Sequence, residues 1–231
     1  MTIDHHLTDE TLQDYAAGAL DHSLEVVIAC HLTLCSECRR KSGMIDTVGG
    51  LVLQDSEAST TKASAADIFN LDARRSEYRG EHNHTDDSTN DPAQLTPPLT
   101  PTVPGVPRPL GRLLPATLED LHWKTIAPGI KQHNLSSKHR KHGAFKLLHL
   151  SPGVVLSQHS HQDRELSLVL RGSYHDEIGR FKAGDIADLG DDVLHQPVVD
   201  TDEPCIALIA TQSPVRYTGV VGRLLQPFIG I

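Results

Sequence analysis

The sequence predicts an α + β protein of two domains, with a small helical domain first and an all-β domain after it. Apolar residues recur at helical spacing as far as residue 53. A polar, proline-rich segment follows. Beyond residue 110, short β-branched runs alternate with glycine-centred turns, which is typical of a sandwich or barrel. We therefore expect a helical domain over residues 1–80, a linker over 81–109 and a β domain over 110–231.

Composition excludes several classes of protein. The chain of 231 residues has 30 acidic and 21 basic residues, so a general attraction to nucleic acid is not expected. Three of its four cysteines lie close together, which does not resemble a secreted disulfide framework. The N-terminus lacks a leader pattern, and no apolar run approaches the roughly 20 residues that span a bilayer. These features predict a cytoplasmic protein that binds neither nucleic acid nor membrane.

Three helices are predicted before the linker. Thr8 is the expected cap of the first, with acidic residues in the turn that follows. The second is expected over residues 23–34 and the third over 36–53, with Ser36 as its cap. The third helix carries apolar residues that three short helices cannot all bury: Met44, Ile45, Val48, Leu51 and Val52. We expect a protein partner to cover this surface.

Three residues with metal-binding side chains lie where the second helix ends: His31, Cys35 and Cys38. His31 and Cys35 are four residues apart and therefore lie on one side of a helix. Two thiolates and an imidazole suit Zn²⁺, and a structural site needs a fourth ligand, for which His5 and His6 are the candidates. The alternative is a redox-active Cys-x-x-Cys pair. Such pairs normally follow a strand, whereas both flanks here are helical.

The last part of the predicted helical domain begins with a stretch of small and polar residues, 54–65. Residues 66–79 contain enough apolar residues for one short helix. From residue 80 the sequence is rich in Asp, Asn and Thr and then in proline, which favours an extended linker. His82 and His84 lie in this linker, where solvated histidines are expected. A linker rich in proline would let the second domain act on the first without sharing its core, and the sequence leaves open whether the two domains pack on each other.

A second group of ligand-type residues lies in the β domain, between flanking glycines. The ligand-type residues are His159, His161, Glu165 and, thirty residues after the glutamate, His195. Gly153 and Gly172 flank the first three. If one strand runs through the first two histidines and the glutamate, their parity directs all three to one side. Three imidazoles and a carboxylate suit zinc, iron, manganese or nickel, and the sequence does not choose among them. The alternative is a histidine-rich surface loop, since the chain has 15 histidines.

The other face of the predicted strand also needs a cover. It carries Leu166, Leu168 and Leu170, which a second sheet, the other domain or a second copy of the chain must bury. The strands of the β domain are expected at residues 144–150, 165–170, 173–178, 185–189 and 206–210. Cys30 and Cys205 are expected to be core thiols.

The spacing Gly153-x5-His159-x-His161-x3-Glu165-x6-Gly172 resembles the first motif of the cupin family throughout. The second cupin motif is kept in part, because Gly184 and His195 are in register. It departs from the pattern at Gly190, Asp192 and Val199, where proline, glycine and asparagine are usual. The resemblance implies a double-stranded β-helix, or jelly-roll, barrel whose metal is zinc or another divalent ion such as iron or manganese.

The first half resembles the zinc-binding anti-sigma domain, whose signature is a histidine, three residues and then Cys-x-x-Cys. His31, Cys35 and Cys38 match it. Together, the order of domains and the opening Met-Thr-Ile-x-His-His resemble ChrR-type anti-sigma factors over nearly the whole chain except the linker. This resemblance implies His6 as the fourth zinc ligand.

The same resemblance implies a function. Members of the family bind an extracytoplasmic-function (group IV) sigma factor through the helical domain and block its access to RNA polymerase. The cupin domain is implied to release the sigma factor in response to singlet oxygen or related oxidative stress, with a protease degrading the inhibitor. Zinc-bound thiolates and histidines are both oxidisable, which provides this response with a chemical route.

Two other classes of function remain as alternatives. Cupins with these ligands include dioxygenases and isomerases, so the second half could be a metalloenzyme with an accessory zinc domain. Closed four-coordinate zinc would favour a sensor, whereas iron or manganese with bound waters would favour catalysis. A basic run at residues 138–142 is a candidate for direct nucleic-acid binding, but one basic loop on an acidic protein seldom suffices.

Overall fold

The computed structural model describes residues 2–55, 103–136, 143–160, 163–190, 193–213 and 216–217. The helices are α1 (Asp9–Ala16), α2 (His22–Leu34), α3 (Ser36–Asp55) and α4 (Arg108–Gly111). The strands are β1 (Lys124–Ala127), β2 (Ile130–Asn134), β3 (Phe145–Leu150), β4 (His159–Ser160), β5 (Glu165–Arg171), β6 (Ser173–His175), β7 (Arg180–Lys182), β8 (Ile186–Leu189), β9 (Cys205–Thr211) and β10 (Arg216–Tyr217). Within these ranges, no helix is long and apolar enough to cross a membrane.

Several predicted features fall outside the described residues. These are the helix at 66–79, His82 and His84, the basic run at 138–142, Asp192, and the cupin-motif residue His161.

The three N-terminal helices begin and end close to their predicted positions. The Thr8 side-chain oxygen caps α1 by accepting a hydrogen bond from the Thr11 N–H at 3.2 Å. The prediction that Ser36 caps α3 is wrong, because Ser36 is already the first residue of that helix and Cys35 precedes it. The Cys35 sulfur accepts a hydrogen bond from the Cys38 N–H at 3.4 Å. A thiol therefore takes the place of a capping hydroxyl.

The strands form the predicted jelly-roll barrel. The main sheet is antiparallel, with strand order β1-β2-β3-β9-β5-β8. Two shorter antiparallel pairs, β4 with β10 and β6 with β7, belong to separate sheets. Tyr174 on β6 and Phe181 on β7 pack into one apolar cluster with Leu148 and Val169 of the main sheet. That cluster is the interior of the barrel.

The outer face of the main sheet is buried by the N-terminal helices. Leu166 and Leu168 on β5, which point away from the barrel interior, share an apolar cluster with Leu24 and Ile28 of α2. Because strand side chains alternate between faces, the central strands are buried on both sides. The sequence left open whether the helical and β parts pack on each other. In the structure α2 contacts β5 and β9 directly, so the two parts share a core, contrary to the view that the β part acts without sharing it.

The end of the predicted linker is also packed against α2. Leu110 of α4 is fully buried in the shared core, and Val103 and Val106 pack against it. By its contacts the chain divides into one unit of Met1–Val48 with Thr100–Ile231 and a second of Gly49–Leu99, of which only residues 49–55 are described. The limits that the sequence predicts for the domains remain predictions.

The two glycines of the first cupin motif provide a matched pair of stability variants. Gly153 and Gly172 both have a positive φ, of 72° and 70°. A Cβ at Gly153 would meet nothing within 4 Å, whereas one at Gly172 would lie 2.6 Å from the Pro204 carbonyl oxygen. We expect Gly153→Ala to lower the free energy of unfolding by about 1–2 kcal/mol, and Gly172→Ala by about 2–5 kcal/mol because backbone must also move. Urea unfolding of the two variants measures the difference, and equal losses would contradict the role of the Pro204 contact.

Candidate metal centres

The structure brings four predicted ligand side chains together at the junction of α2 and α3. Their donor atoms, from His6, His31, Cys35 and Cys38, lie within 4.8 Å of one another. The His31 Nε2 is 3.3 Å from the Cys38 sulfur. The His6 Nδ1 is 3.3 Å from the Cys35 sulfur and 3.6 Å from the Cys38 sulfur. The cluster is almost entirely buried, with only His6 partly exposed.

This donor set fits a tetrahedral metal site. With bonds of about 2.0–2.3 Å to nitrogen and sulfur, tetrahedral ligands are roughly 3.3–3.8 Å apart. The three nitrogen–sulfur distances given above, 3.3, 3.3 and 3.6 Å, lie in this range. The second ring nitrogen of each histidine is also held in place. The His31 Nδ1 donates a hydrogen bond to the Gly184 carbonyl at 3.1 Å, and the His6 Nε2 is 3.4 Å from a Glu37 carboxylate oxygen. Such outer partners fix the ring orientation of metal-binding histidines.

Burial sets the protonation of this cluster. It lowers the pKa of His31 to about 4 and raises the pKa of Cys38 to about 12. The imidazole is therefore neutral at pH 7 and available as a ligand, whereas the Cys38 thiol requires a nearby cation to ionise. The raised pKa argues against a reactive thiolate at Cys38, and two histidines also converge on the sulfurs. The geometry favours a metal site over the alternative redox pair.

His5, the other candidate for the fourth position, has a different environment. Its ring packs on Phe181 of β7 with the centroids 4.1 Å apart and the ring planes tilted by 32°, and its Nδ1 is 3.5 Å from the Asp185 carboxylate. His6, the residue implied by the family resemblance, is the one that meets His31 and the two cysteines. His5 therefore contacts the barrel, whereas its neighbour His6 contacts the other residues of the cluster.

The N-terminal segment, residues 2–8, is fixed to the barrel by two aspartates near β8. The Asp185 side chain is fully buried, and its Oδ1 accepts hydrogen bonds from the backbone N–H groups of Asp4 (2.7 Å) and His5 (3.2 Å). Its Oδ2 accepts from the Lys182 N–H at 2.9 Å. Asp188 accepts from both the N–H and the hydroxyl of Thr8 at 2.9 Å. The position of His6 therefore depends on the barrel.

The second cluster lies in the barrel and contains His159, Glu165 and His195. The two histidines face each other, with their Nε2 atoms 3.0 Å apart, and a donor atom of the Glu165 carboxylate lies within 4.8 Å of both. All three side chains are buried. Burial lowers the pKa of His159 to about 4 and raises that of Glu165 to about 7. His161, the remaining predicted ligand, is outside the described residues.

Each histidine of this cluster is oriented through its Nδ1. The His159 Nδ1 donates to the Ser157 carbonyl at 2.8 Å, and the His195 Nδ1 is 2.9 Å from the Asp176 carboxylate. Asp176 is buried, which opposes its ionisation, but hydrogen bonds from His195 and from the N–H groups of Ile178 and Gly179 lower its pKa. A carboxylate behind an imidazole is the usual support of a metal-binding histidine. Two imidazoles and a carboxylate suit a divalent metal.

The parity argument for this cluster is wrong, although its residues do meet. No single strand runs through the motif, because β4 ends at Ser160 and β5 begins at Glu165. β4 pairs with β10, whereas β5 belongs to the main sheet, so His159 and Glu165 approach from different sheets. His159 also pairs with His195 through an isolated β-bridge.

Sequence reasoning did not identify three residues that support the clusters: Glu37, Asp176 and Asp185. Glu37 lies between the two cysteines, which was an available signal. Asp176 and Asp185 lie in turns, and no local pattern reveals their partners, since Asp185 binds residues 180 or more positions away. Cys30 and Cys205 are buried in apolar clusters as expected.

The fold and its two clusters define a protein in which a helical His/Cys site is joined to a cupin barrel with a His/Glu/His site. Residues 114–214 match the family described as the ChrR cupin-like domain. The anti-sigma-E factor ChrR of Cereibacter sphaeroides is 34% identical over 233 residues, which cover 100% of both chains. A chain of the crystal structure of Rhodobacter sphaeroides SigE in complex with the anti-sigma ChrR is 32% identical with a TM-score of 0.68, over 91% of this chain and 100% of that one. The chain belongs to the ChrR family of anti-sigma factors.

Proposed function

We propose that this protein binds an extracytoplasmic-function sigma factor in the cytoplasm and keeps it from RNA polymerase. The observation that carries this proposal is the full-length similarity to an anti-sigma-E factor, supported by the likeness to a chain of a SigE–ChrR complex. The same similarity favours a regulator over the dioxygenase or isomerase considered from the sequence.

We propose that both clusters hold a divalent metal. His6, His31, Cys35 and Cys38 form a donor set that zinc prefers, and such a site contributes directly to the stability of the helices that it joins. His159, Glu165 and His195, together with the predicted ligand His161, would hold zinc or another divalent metal such as iron or manganese.

An exposed apolar stripe on α3 supports a protein partner. Met44, Val48, Leu51 and Val52 follow one another at helical spacing, and each has more than half of its surface exposed (58%, 61%, 60% and 66%). Soluble chains seldom leave such a stripe uncovered unless it binds something. We assign this α3 stripe to the sigma factor.

The test is co-purification with a candidate extracytoplasmic-function sigma factor. We expect the variant with Met44→Asp and Val48→Asp to bind it at least about 100-fold more weakly, because two charges would enter an apolar interface. The matched control places the same charges on exposed apolar residues elsewhere, Leu113→Asp and Ile178→Asp, and should bind normally. Equal affinities of the two variants would contradict the assignment of the α3 stripe, and absence of any complex would contradict the anti-sigma function.

We further propose that singlet oxygen or a related oxidant acts on the barrel and thereby releases the sigma factor, with a protease then degrading the inhibitor. A chain of contacts supports this order of events. His195 contacts Asp176, and Asp176 accepts a hydrogen bond from the Gly179 N–H. The same hairpin carries Phe181, on which His5 packs, next to the predicted ligand His6. Damage to the barrel cluster could therefore reach the helical site through the β6–β7 hairpin.

Release is tested by illuminating the purified complex with a photosensitiser. The wild-type complex should dissociate, whereas one carrying His159→Ala and Glu165→Ala should dissociate more slowly or not at all, since its sensing cluster has been removed. Dissociation of this variant complex at the wild-type rate under light would assign the sensing step elsewhere, such as to Cys35 and Cys38. A sample kept dark controls for spontaneous dissociation.

A further inference from the structure

Helix α1 is too short to be stable through its own hydrogen bonds. It has eight residues, whereas isolated helices of fewer than about 12 residues are marginal in water. Its N-terminal end is tied to the barrel through Thr8, whose N–H and hydroxyl both donate to Asp188. Its apolar side contributes one fully buried residue, Leu12, to the core that the helices share with the main sheet. The position of α1 therefore depends on the barrel.

The C-terminal half of α1 carries a negative charge that the helix itself does not balance. Asp14 lies in the last turn, where the helix dipole disfavours a carboxylate, and this turn has no basic residue. Glu10 lies four residues earlier on the same side of the helix, so the two carboxylates repel each other. Arg164 of the barrel supplies the missing cation. Its Nη1 donates to the Asp14 carboxylate at 2.7 Å, and its Nη2 is 3.6 Å from the Glu10 carboxylate.

Arg164 is joined directly to the barrel cluster of His159, Glu165 and His195. It immediately precedes Glu165, the first residue of β5, whose side chain faces the barrel interior while that of Arg164 contacts α1. The backbone of both residues is held by the main sheet. Glu165 pairs with β8 and β9, and the Arg164 carbonyl accepts the Gln212 N–H at 3.3 Å. The Arg164 side chain is only 17% exposed, so water screens its ion pairs less than those of surface residues.

We propose that Arg164 is a positioning residue that couples the barrel cluster to α1. A change in the cluster that shifts Glu165 also shifts the neighbouring guanidinium, and α1 then loses the cation that holds its C-terminal half. This path is separate from the β6–β7 hairpin, which reaches the N-terminal segment at His5. The inference rests on the release proposed above, to which it assigns a second path. The coupling itself is measured on the full-length chain without a sigma factor.

The test measures amide hydrogen exchange in α1, with the amides of β3 as the reference for any loss of global stability. We expect Arg164→Gln to raise the exchange rates of the α1 amides about 5- to 10-fold, the effect of one charged hydrogen bond. His159→Ala, which disturbs the barrel cluster from β4 and not from β5, should raise the same rates at least about threefold. When Arg164→Gln is already present, His159→Ala should add less than about 1.5-fold, because the path from the cluster to α1 is already broken.

Lys41→Gln is the matched control, because Lys41 pairs with another α1 carboxylate, that of Asp9, at 2.9 Å but lies on α3. It should change the α1 rates less than about twofold and leave the effect of His159→Ala intact. Arg164→Lys keeps the charge and should keep most of the coupling, whereas Arg164→Met, which keeps the length alone, should lose it. An equal effect of His159→Ala with and without Arg164, or no effect on α1 at all, would overturn the proposal. Neither result would affect the anti-sigma function, which is tested by co-purification.

Discussion

Replacing both cysteines of the helical cluster, Cys35→Ser with Cys38→Ser, should remove one metal ion per chain and weaken sigma-factor binding at least about 100-fold. The two sulfurs are half of the donor set, and the remaining histidines cannot hold a closed site alone. The Cys35 sulfur also accepts the Cys38 N–H at the start of α3, a role that a serine hydroxyl can keep, so the expected loss comes from the metal donors and not from the helix cap. Metal analysis of the purified chain and affinity measurements with the sigma factor give the two readouts.

The other two cysteines supply the control for this experiment. Cys30 and Cys205 are buried in apolar clusters and belong to neither group of metal donors, so Cys30→Ala with Cys205→Ala should lose some stability but keep the metal and the partner. If the Cys35 and Cys38 variant retained its full metal content, the pair would be a redox or structural dithiol and the zinc proposal would fail.

Replacing the buried aspartate that anchors the N-terminal segment, Asp185→Ala, should lower the free energy of unfolding by about 3 kcal/mol or more. Three backbone N–H groups, of Asp4, His5 and Lys182, would lose a charged acceptor inside the protein. Because the segment positions His6, we also expect the metal of the helical cluster to pass to a chelator faster than in the wild type. Urea unfolding and a chromogenic chelator measure the two effects.

Asp188→Ala is the matched control, since Asp188 also binds the N-terminal segment but through exposed hydrogen bonds to Thr8. Its effect on the free energy of unfolding should remain within about 1 kcal/mol, and metal transfer should be little changed. An Asp185→Ala protein that loses stability yet releases metal at the wild-type rate would show that the barrel does not control the helical cluster through this carboxylate.

The contacts between the helical part and the barrel explain why the Asp185 prediction bears on function. The His31 ring, the N-terminal segment and α2 all contact the barrel, through Gly184, Asp185 and the outer face of the main sheet. An inhibitor whose metal site depends on a neighbouring barrel can lose its active shape when that barrel is damaged. These contacts join the barrel to the helical cluster without a gap. The Asp185 variants test whether damage to the barrel affects the metal site through them.

Much of the candidate site could be predicted from local patterns. The spacing of His31, Cys35 and Cys38 and the cap at Thr8 depend on residues within one or two helical turns, and the helices begin and end near the predicted residues. Gly153 and Gly172 of the first cupin motif both have a positive φ, which glycine adopts more readily than any other residue. These features could be predicted because each depends on interactions between residues that are close in the sequence.

The sequence by itself determined which side chains could bind metal, the order of helical and β parts, and the family to which the chain belongs. Only the tertiary structure decided that α2 covers Leu166 and Leu168, that Asp185 fixes the N-terminal segment, and that Asp176 orients His195. Periodicity and capping record interactions over a few residues, whereas these contacts join segments from 19 to 181 positions apart. The partner of a buried carboxylate or an apolar face is fixed only when distant segments pack together.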